Sequence, residues 1–286
     1  MNIELTKNSG IHSIFSEARK LAERNKSHGR NTIIGIAGGS CTGKTSYVAQ
    51  TLYQLSSPGA LLLSQDNFQL GYALDLQAHG TYRWDDPDNY GLTESASLLK
   101  QLSQGLPGIM PCYSFSEKAR LGYQRVAPAD IIIFEGLYAC YGQVRPHIDL
   151  AVYVETPFYG RLLRRLFRNS RERYQADPKD VLVRLLTGSV FKAHDTIVAR
   201  QRRHADIILP SPYHPIESIE RFALQPYQLT GLTEDTILHS AHDWRISLMK
   251  DSEGRFFFCL FVDGKCYLQV AVSGKIRVSF ANVFKN

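Results

Sequence analysis

The chain has 286 residues, of which 44% are hydrophobic and 21% charged, and its formal net charge is +6. These values are ordinary for a globular protein, no apolar run approaches the roughly 20 residues that cross a bilayer, and the first ten residues lack a secretory pattern. The five cysteines are scattered and include no C-x-x-C pair, which argues against a disulfide framework or a zinc site. We therefore expect a cytoplasmic protein that does not enter a membrane.

The chain begins with a predicted amphipathic helix over residues 11–25, because apolar side chains recur there at helical spacing. NTIIGIAGG (31–39) then predicts a buried strand that runs into a glycine-rich loop, and KTSYVAQTLYQL (44–55) predicts the following helix. Residues 1–30 are accordingly interpreted as an N-terminal helical extension.

Four more short apolar runs follow and predict strands of a parallel sheet that is buried on both faces: GALLLSQD (59–66), ADIIIFEG (129–136), DLAVYVET (149–156) and ADIILP (205–210). The residue pattern changes from about residue 215, where strand-like runs alternate with DG and SG turns. The sequence thus predicts an α/β domain over residues 31–214, a linker near SPYHP (211–215), and a small, mostly β appendage over residues 215–286.

The glycine-rich loop satisfies the spacing G-x-x-x-x-G-K-[ST] at Gly38, Gly43, Lys44 and Thr45. In such a loop the glycines let backbone amides face phosphate oxygens, the lysine reaches the β- and γ-phosphates, and the threonine hydroxyl ligates Mg²⁺. The loop therefore predicts a nucleoside triphosphate site, with ATP and Mg²⁺ as cofactors. The predicted nucleotide-binding residues are Gly38, Gly39, Ser40, Cys41, Thr42, Gly43, Lys44, Thr45 and Ser46.

Two carboxylates stand at strand ends, where doubly wound sheets bind their ligands: Asp66 and Glu135. One carboxylate can hold Mg²⁺ while the other accepts a proton from an acceptor hydroxyl, which are two tasks of phosphoryl transfer to an alcohol. The alternative is that each acid is only a helix cap or turn former.

Residues 161–173 (RLLRRLFRNSRER) carry six arginines and one glutamate, which accounts for much of the positive charge. The cluster can face phosphates, or it can be a solvated helix face or a nucleic-acid surface. The nucleic-acid reading is disfavoured because few aromatic side chains are interleaved with the arginines.

Seven stretches in order, GIAGGSCTGKTS, LLSQDNF, YRWDDPDNY, PCYSFSEKAR, IIIFEGLYA, RLLRRLFRNSRER and ADIILP, resemble the uridine kinase and phosphoribulokinase family of P-loop kinases. The resemblance is nearest to the uridine/cytidine kinase branch and covers roughly residues 32–210. It implies a doubly wound parallel sheet of the P-loop NTPase type and phosphoryl transfer to a small-molecule hydroxyl.

The resemblance also implies roles for individual residues. Lys44 would bind the γ-phosphate, Thr45 and Glu135 would serve Mg²⁺, and Asp66 would be the general base. Asp85 would bind the vicinal ribose hydroxyls beside Trp84, and Tyr113 and Phe115 would adjoin the base of the acceptor. The matching arginines are Arg165, which would assist at the acceptor, and Arg168 and Arg173, which would close on the phosphates.

The sequence departs from the uridine kinase pattern where that pattern reads the pyrimidine edge. Ser114 and Lys118 stand in place of an aspartate and a histidine, and Gln175 in place of an arginine. A neutral histidine can accept a hydrogen bond and a lysine cannot, so Lys118 favours an acceptor with a carbonyl, carboxylate or phosphate at that end.

These observations predict an ATP-dependent kinase that phosphorylates a nucleoside or a related ribosyl metabolite. A sugar or sugar-phosphate kinase of the same family is the alternative within catalysis, and a non-catalytic, nucleotide-dependent regulatory protein is the alternative outside it. The expected partners are the acceptor and the nucleoside triphosphate, with no nucleic acid, and the expected assembly is a homo-oligomer.

Overall fold

The structure, a computed structural model, describes residues 3–4, 7–73, 77, 85–156, 158–169, 181, 194–210, 229–240 and 244–272. The chain divides into two compact units. The first comprises residues 1–155 and 189–212, and the second comprises residues 156–188 and 213–286.

The first unit is built on a parallel sheet with the strand order β1-β8-β7-β2-β6-β3. All residues of β2 and β6 are buried, as their continuous apolar sequence predicts for central strands covered on both faces. The predicted α/β fold with a doubly wound parallel sheet is confirmed. The strands of this unit are β1 (Ile3–Glu4), β2 (Thr32–Gly38), β3 (Ala60–Ser64), β4 (Gly108–Ser114), β5 (Ala119–Val126), β6 (Ile131–Gly136), β7 (Leu150–Glu155) and β8 (Ile207–Pro210), of which β4 and β5 form a separate antiparallel hairpin.

Helices cover both faces of the sheet, since side chains of successive residues along β2 enter two different cores. Ile33 packs in one core with Leu98, Leu99 and Leu102, while Ile34 packs in the other with the first two helices. The helices are α1 (Lys7–Lys26), α2 (Gln50–Ser56) and α3 (Leu92–Ser103). Shorter helical segments are Lys44–Ala49 and His194–Val198, which are π-helical, and the 3-10 turns Gln65–Phe68, Pro87–Asn89, Arg145–His147 and Ala199–His204.

The predicted leading helix is α1, which begins four residues earlier than its apolar pattern. Ile11, Ile14, Ala18 and Leu21 are buried in one core with the central strands. The helix is therefore packed on the parallel sheet through the face that the sequence identified.

The described part of the second unit contains one helix and four strands: α4 (Phe158–Phe167), β9 (Leu232–Ser240), β10 (Trp244–Asp251), β11 (Phe256–Val262) and β12 (Lys265–Val272). The strands form an antiparallel sheet in the order β12-β11-β10-β9, which agrees with the predicted mostly β character of the C-terminal region. The predicted DG turn joins β11 to β12 with φ of 47° at Asp263 and 74° at Gly264, the left-handed conformation that tight hairpins need. The predicted SG turn and the SPYHP stretch lie outside the described residues. No helix in the described ranges is both long enough and apolar enough to cross a bilayer.

Candidate active site

The glycine-rich loop starts at the carboxyl end of β2, in the middle of the parallel sheet. A Cβ on Gly38 would lie 2.7 Å from the carbonyl oxygen of Val154, so only glycine fits there. Gly43 has φ of 89° and Cys41 has φ of 65°. A left-handed cysteine is uncommon, and non-glycine residues in that conformation concentrate where a loop is shaped for a ligand.

A π-helical segment follows the loop directly. The amides of both Tyr47 and Val48 donate to the carbonyl of Gly43, at 3.0 and 3.1 Å. The sequence predicts an ordinary α-helix here, and α2 begins only at Gln50. Wide helical turns of this kind occur frequently at functional sites, and this one directly follows the predicted phosphate-binding loop.

Glu135, at the end of β6, is 2% exposed and accepts two short hydrogen bonds. The Thr45 hydroxyl donates to one carboxylate oxygen at 2.8 Å, and the Ser64 hydroxyl donates to the other at 2.6 Å. Burial raises the pKa of Glu135, and the nearby Asp66 raises it further, whereas Lys44 and the two hydroxyls oppose the rise. The loop and the ends of β6 and β3 therefore form one connected site.

Asp66 lies on the 3-10 turn that follows β3. Its backbone amide donates to the Ser64 hydroxyl at 3.3 Å, and its carboxylate accepts from the side-chain amide of Gln69 at 3.4 Å. The structure thus brings together the three residues predicted from the strand ends and the loop, namely Lys44, Asp66 and Glu135.

Trp84 lies outside the described residues, which resume at Asp85. Asp85 has φ of 58°, and its backbone carbonyl accepts a hydrogen bond from the Tyr138 hydroxyl. The next residue, Asp86, accepts at 3.0 Å from the amide of Asp88 and so caps a 3-10 turn. A buried phenol and a capped turn together hold this loop.

The β4–β5 hairpin carries the other predicted acceptor residues. The rings of Tyr113 and Phe115 pack edge to face with centroids 5.3 Å apart, and the Tyr113 amide donates to the Asn67 side chain at 3.3 Å. Lys118 has φ of 52°, and its ammonium lies 5.1 Å from the centre of the Tyr72 ring. The Lys118 ammonium therefore lies over an aromatic face.

Arg120, which the sequence analysis missed, ties that hairpin to the Asp66 turn. Its guanidinium donates to the carbonyls of Gln69 and Phe68, both at 2.8 Å, and forms an ion pair with Glu94 at 2.9 Å. Sequence alone offers no signal for such a bond, because its acceptors are backbone atoms about fifty residues away.

Four other residues named in the sequence analysis are not among the described residues of the first unit. Arg165, on α4, and Arg168, directly after it, belong to the second unit. Arg173 and Gln175 lie outside the described residues. Ser64 and Gln65 were overlooked, although they directly precede Asp66 at the strand end.

The chemistry of the site fits a magnesium ion. Thr45, Ser64, Asp66 and Glu135 offer hard oxygen donors, and Mg²⁺ is usually held by one or two protein oxygens together with substrate phosphates and water. No cluster of three or more histidine, cysteine, aspartate or glutamate side chains occurs among the described residues. These four oxygen donors suit an ion that arrives with a nucleotide.

Comparison with known proteins gives consistent results. The model of the Phosphoribulokinase / Uridine kinase family matches residues 33–214, which is more than half of the chain. A uridine kinase of Deinococcus deserti is 31% identical over 186 residues, covering 64% of this chain and 89% of that protein. A uridine kinase of Staphylococcus aureus is 34% identical over 190 residues, covering 63% of this chain and 87% of that protein.

Among solved structures, a putative fructose transport system kinase from Silicibacter sp. TM1040 superposes with a TM-score of 0.56 at 18% identity. The superposition covers 68% of this chain and 97% of that one, and at this identity it supports the fold alone. Residues 215–286 lie beyond the range that the family model matches.

Proposed function

The chain belongs to the phosphoribulokinase and uridine kinase family, and from this premise we propose that it transfers the γ-phosphate of ATP to a hydroxyl of a nucleoside or a related ribosyl metabolite in the cytoplasm. It is a phosphotransferase with an alcohol group as acceptor. The observation that carries the proposal is the hydrogen-bonded row of Thr45, Glu135 and Ser64 next to Asp66. That row joins a phosphate-binding loop to a carboxylate suited to an acceptor hydroxyl.

On the nucleotide side, the backbone amides of the loop from Gly38 to Ser46 bind the phosphates, and Lys44 neutralises charge on the β- and γ-phosphates. Thr45 and Glu135 would hold Mg²⁺, which would supply positive charge against the negative charge that develops during phosphoryl transfer. The Ser64 hydroxyl keeps the Glu135 carboxylate fixed. The hydrogen bonds among Thr45, Glu135 and Ser64 hold these groups in one arrangement, which keeps reorganisation during transfer small.

On the acceptor side, Asp66 accepts the proton of the attacking hydroxyl. Its carboxylate retains a hydrogen bond from Gln69, which orients it. Asp85 and Trp84 bind the vicinal ribose hydroxyls, and Tyr113 and Phe115 contact the remainder of the acceptor. For Arg165 the family resemblance implies a role at the acceptor, and for Arg168 and Arg173 a role on the transferred phosphoryl group.

The identity of the acceptor depends on Lys118. An ammonium above the Tyr72 ring favours an anionic or carbonyl-bearing group on the acceptor, so a sugar or sugar-phosphate is the second candidate. A non-catalytic regulatory role is disfavoured, since such a protein has no use for the Asp66 carboxylate beside the phosphate loop.

The experiment is ADP release from ATP and Mg²⁺ by the full chain with a panel of ribonucleosides, pentoses and pentose phosphates. We expect acceptor-dependent release with at least one ribosyl compound. A thermal-shift screen of the same panel with a non-hydrolysable ATP analogue identifies binders, because a ligand of the folded state raises Tm. ATP binding without acceptor-dependent release for any compound would contradict the kinase assignment.

A further inference from the structure

We propose that the Tyr138 hydroxyl is a positioning group that fixes residues 85–90, the Asp85 loop, for acceptor binding. This inference rests on the proposed function only in the role of Asp85. The juxtaposition itself, a buried phenol on the turn after β6 bonded to the backbone of Asp85, is a feature of the first unit.

The Tyr138 hydroxyl bonds to the carbonyl of Asp85, the residue at which the loop backbone is left-handed. Asp85 has φ of 58°, a left-handed conformation that is uncommon for non-glycine residues, although aspartate adopts it more readily than most, so a bond to this residue helps to keep its backbone in place. Tyr138 is fully buried and donates to the Asp85 carbonyl. A tyrosine hydroxyl is protonated at neutral pH and can donate, and burial raises the pKa of Tyr138 further, with Asp85 contributing.

The Tyr138 ring is itself held in one orientation. Its neighbours are Tyr90, with ring centroids 5.2 Å apart, and Tyr141, at 5.7 Å. Tyr90 closes the same 3-10 turn that begins after Asp86, so the ring packs against the far end of the Asp85 loop. The loop is thus tethered through its carbonyl at one end and through an aromatic contact at the other.

The backbone of Tyr138 is bonded to the residue that follows β3 and precedes Asp66. Its amide donates to the side-chain oxygen of Gln65 at 2.7 Å, and Gln65 directly precedes Asp66. Gly136 permits this approach, since a Cβ there would lie 2.4 Å from the Gln65 side chain. One residue therefore spans the distance between the proposed base and the proposed diol-binding loop.

Gln201, which is 1% exposed, clamps the same turn from the other side. Its side-chain amide donates to the carbonyl of Leu137 at 2.6 Å, and its oxygen accepts from the amide of Cys140 at 3.1 Å. With both flanks of Tyr138 bonded, the hydroxyl has little freedom to follow a moving loop. The turn fixes Asp85 rather than the reverse.

The first test does not need a substrate. We compare amide hydrogen exchange in Tyr138→Phe and in Tyr141→Phe, which removes a hydroxyl from the same ring cluster. Loss of one hydrogen bond corresponds to about tenfold faster local opening. We expect that acceleration at Asp88, Asn89 and Tyr90 in Tyr138→Phe only, with unchanged exchange in β2. Equal effects in the two variants, or no acceleration in either, would overturn the proposal.

The second test separates positioning from folding. With adenosine, guanosine, uridine and cytidine as acceptors, and their 2′-deoxy forms, we expect Tyr138→Phe to raise the KM of the ribonucleosides about tenfold. The kcat and the KM for ATP should stay within about twofold, and discrimination against 2′-deoxy forms should shrink. An equal rise in KM for the ribonucleosides and their 2′-deoxy forms, or a fall in kcat alone, would reject a role of Tyr138 through Asp85. Absence of wild-type turnover with every compound of the ribonucleoside, pentose and pentose phosphate panel refutes the proposed function instead, and the exchange result then decides the tether by itself.

Discussion

The two sides of the candidate site are built in different ways. The phosphate side, residues 38–46 with Glu135, comes from one continuous loop and one neighbouring strand end of the same sheet. The proposed acceptor side, Asp85 with residues 113–118, comes from a loop and a hairpin that are separate in sequence. Hydrogen bonds between side chains and backbone atoms tie the hairpin to Asn67 and Gln69 and tie Asp85 to Tyr138.

This difference indicates where the chemistry is fixed and where it can vary. The glycines and the parallel strands determine the phosphate side, so a change there should abolish the reaction for every acceptor. The acceptor side depends on individual contacts such as those of Arg120 and Tyr138, so changes there should alter which acceptor is used. Four predictions test this division.

Replacement of Lys44 should have the largest effect. We expect Lys44→Ala to reduce ATP-dependent turnover by about 10³-fold or more with every acceptor, because charge on the β- and γ-phosphates is then left uncompensated. The measurement is kcat/KM by ADP release, with circular dichroism to verify folding. Lys100→Ala, which removes an exposed lysine of α3, is the control. Turnover retained in a folded Lys44→Ala protein would remove the phosphate side from the mechanism.

Asp66 lies where the two sides meet, and its replacement should separate them. We expect Asp66→Asn to lower kcat by about 10² to 10⁴-fold, the usual contribution of a general base. The Kd for ATP should change little, since the proton comes from the acceptor. Kinetics and nucleotide titration give both values, and a change in kcat of less than a few fold would place the base elsewhere.

Lys118 tests the acceptor side alone. We expect wild-type protein to use uridine and cytidine poorly and Lys118→His to improve kcat/KM for them by about ten- to a hundredfold, the effect of satisfying a polar group in the site. Histidine tolerates the left-handed backbone that this position has.

The matched control for Lys118→His is Arg125→His, an exposed position on the same hairpin. Efficient phosphorylation of uridine by the wild type would show that the departures at Ser114, Lys118 and Gln175 leave a plain uridine kinase.

The smallest predicted effect is the dependence of the free energy of unfolding on the protonation of Glu135. Because burial raises the pKa of Glu135 above 4.5, the folded protein binds its proton more tightly than the unfolded chain does. The prediction concerns the protein without nucleotide and Mg²⁺. As the pH falls through the folded pKa of Glu135, the free energy of unfolding of the wild type should rise relative to that of Glu135→Gln. The difference should become constant once the pH is below the unfolded pKa. Urea unfolding of both proteins over a pH series measures this difference. A difference that is independent of pH would show that Glu135 has an ordinary pKa.

The central sheet and the phosphate side were accessible to sequence reasoning because their signals are local. Apolar runs predicted β2, β3, β6, β7 and β8, and the spacing from Gly38 to Thr45 predicted the loop between β2 and the next helix. The hairpin formed by β4 and β5 was not predicted, since its strands mix polar and apolar residues without clean alternation. The π-helical start of the helix after the loop was missed for a related reason, because residue propensities do not distinguish helix types.

By itself, the sequence determined the parallel α/β fold, the phosphate loop, and the placement of Asp66 and Glu135 at one edge, because the carboxyl ends of parallel strands must meet there. Only the tertiary structure decided which atoms hold the acceptor side. The bonds from Arg120 to the Phe68 carbonyl and from Tyr138 to the Asp85 carbonyl join segments about fifty residues apart and end on backbone oxygens, which every residue type provides. A sequence records the donor of such a bond but carries no information on its acceptor, so this half of the site becomes visible only once the chain has folded.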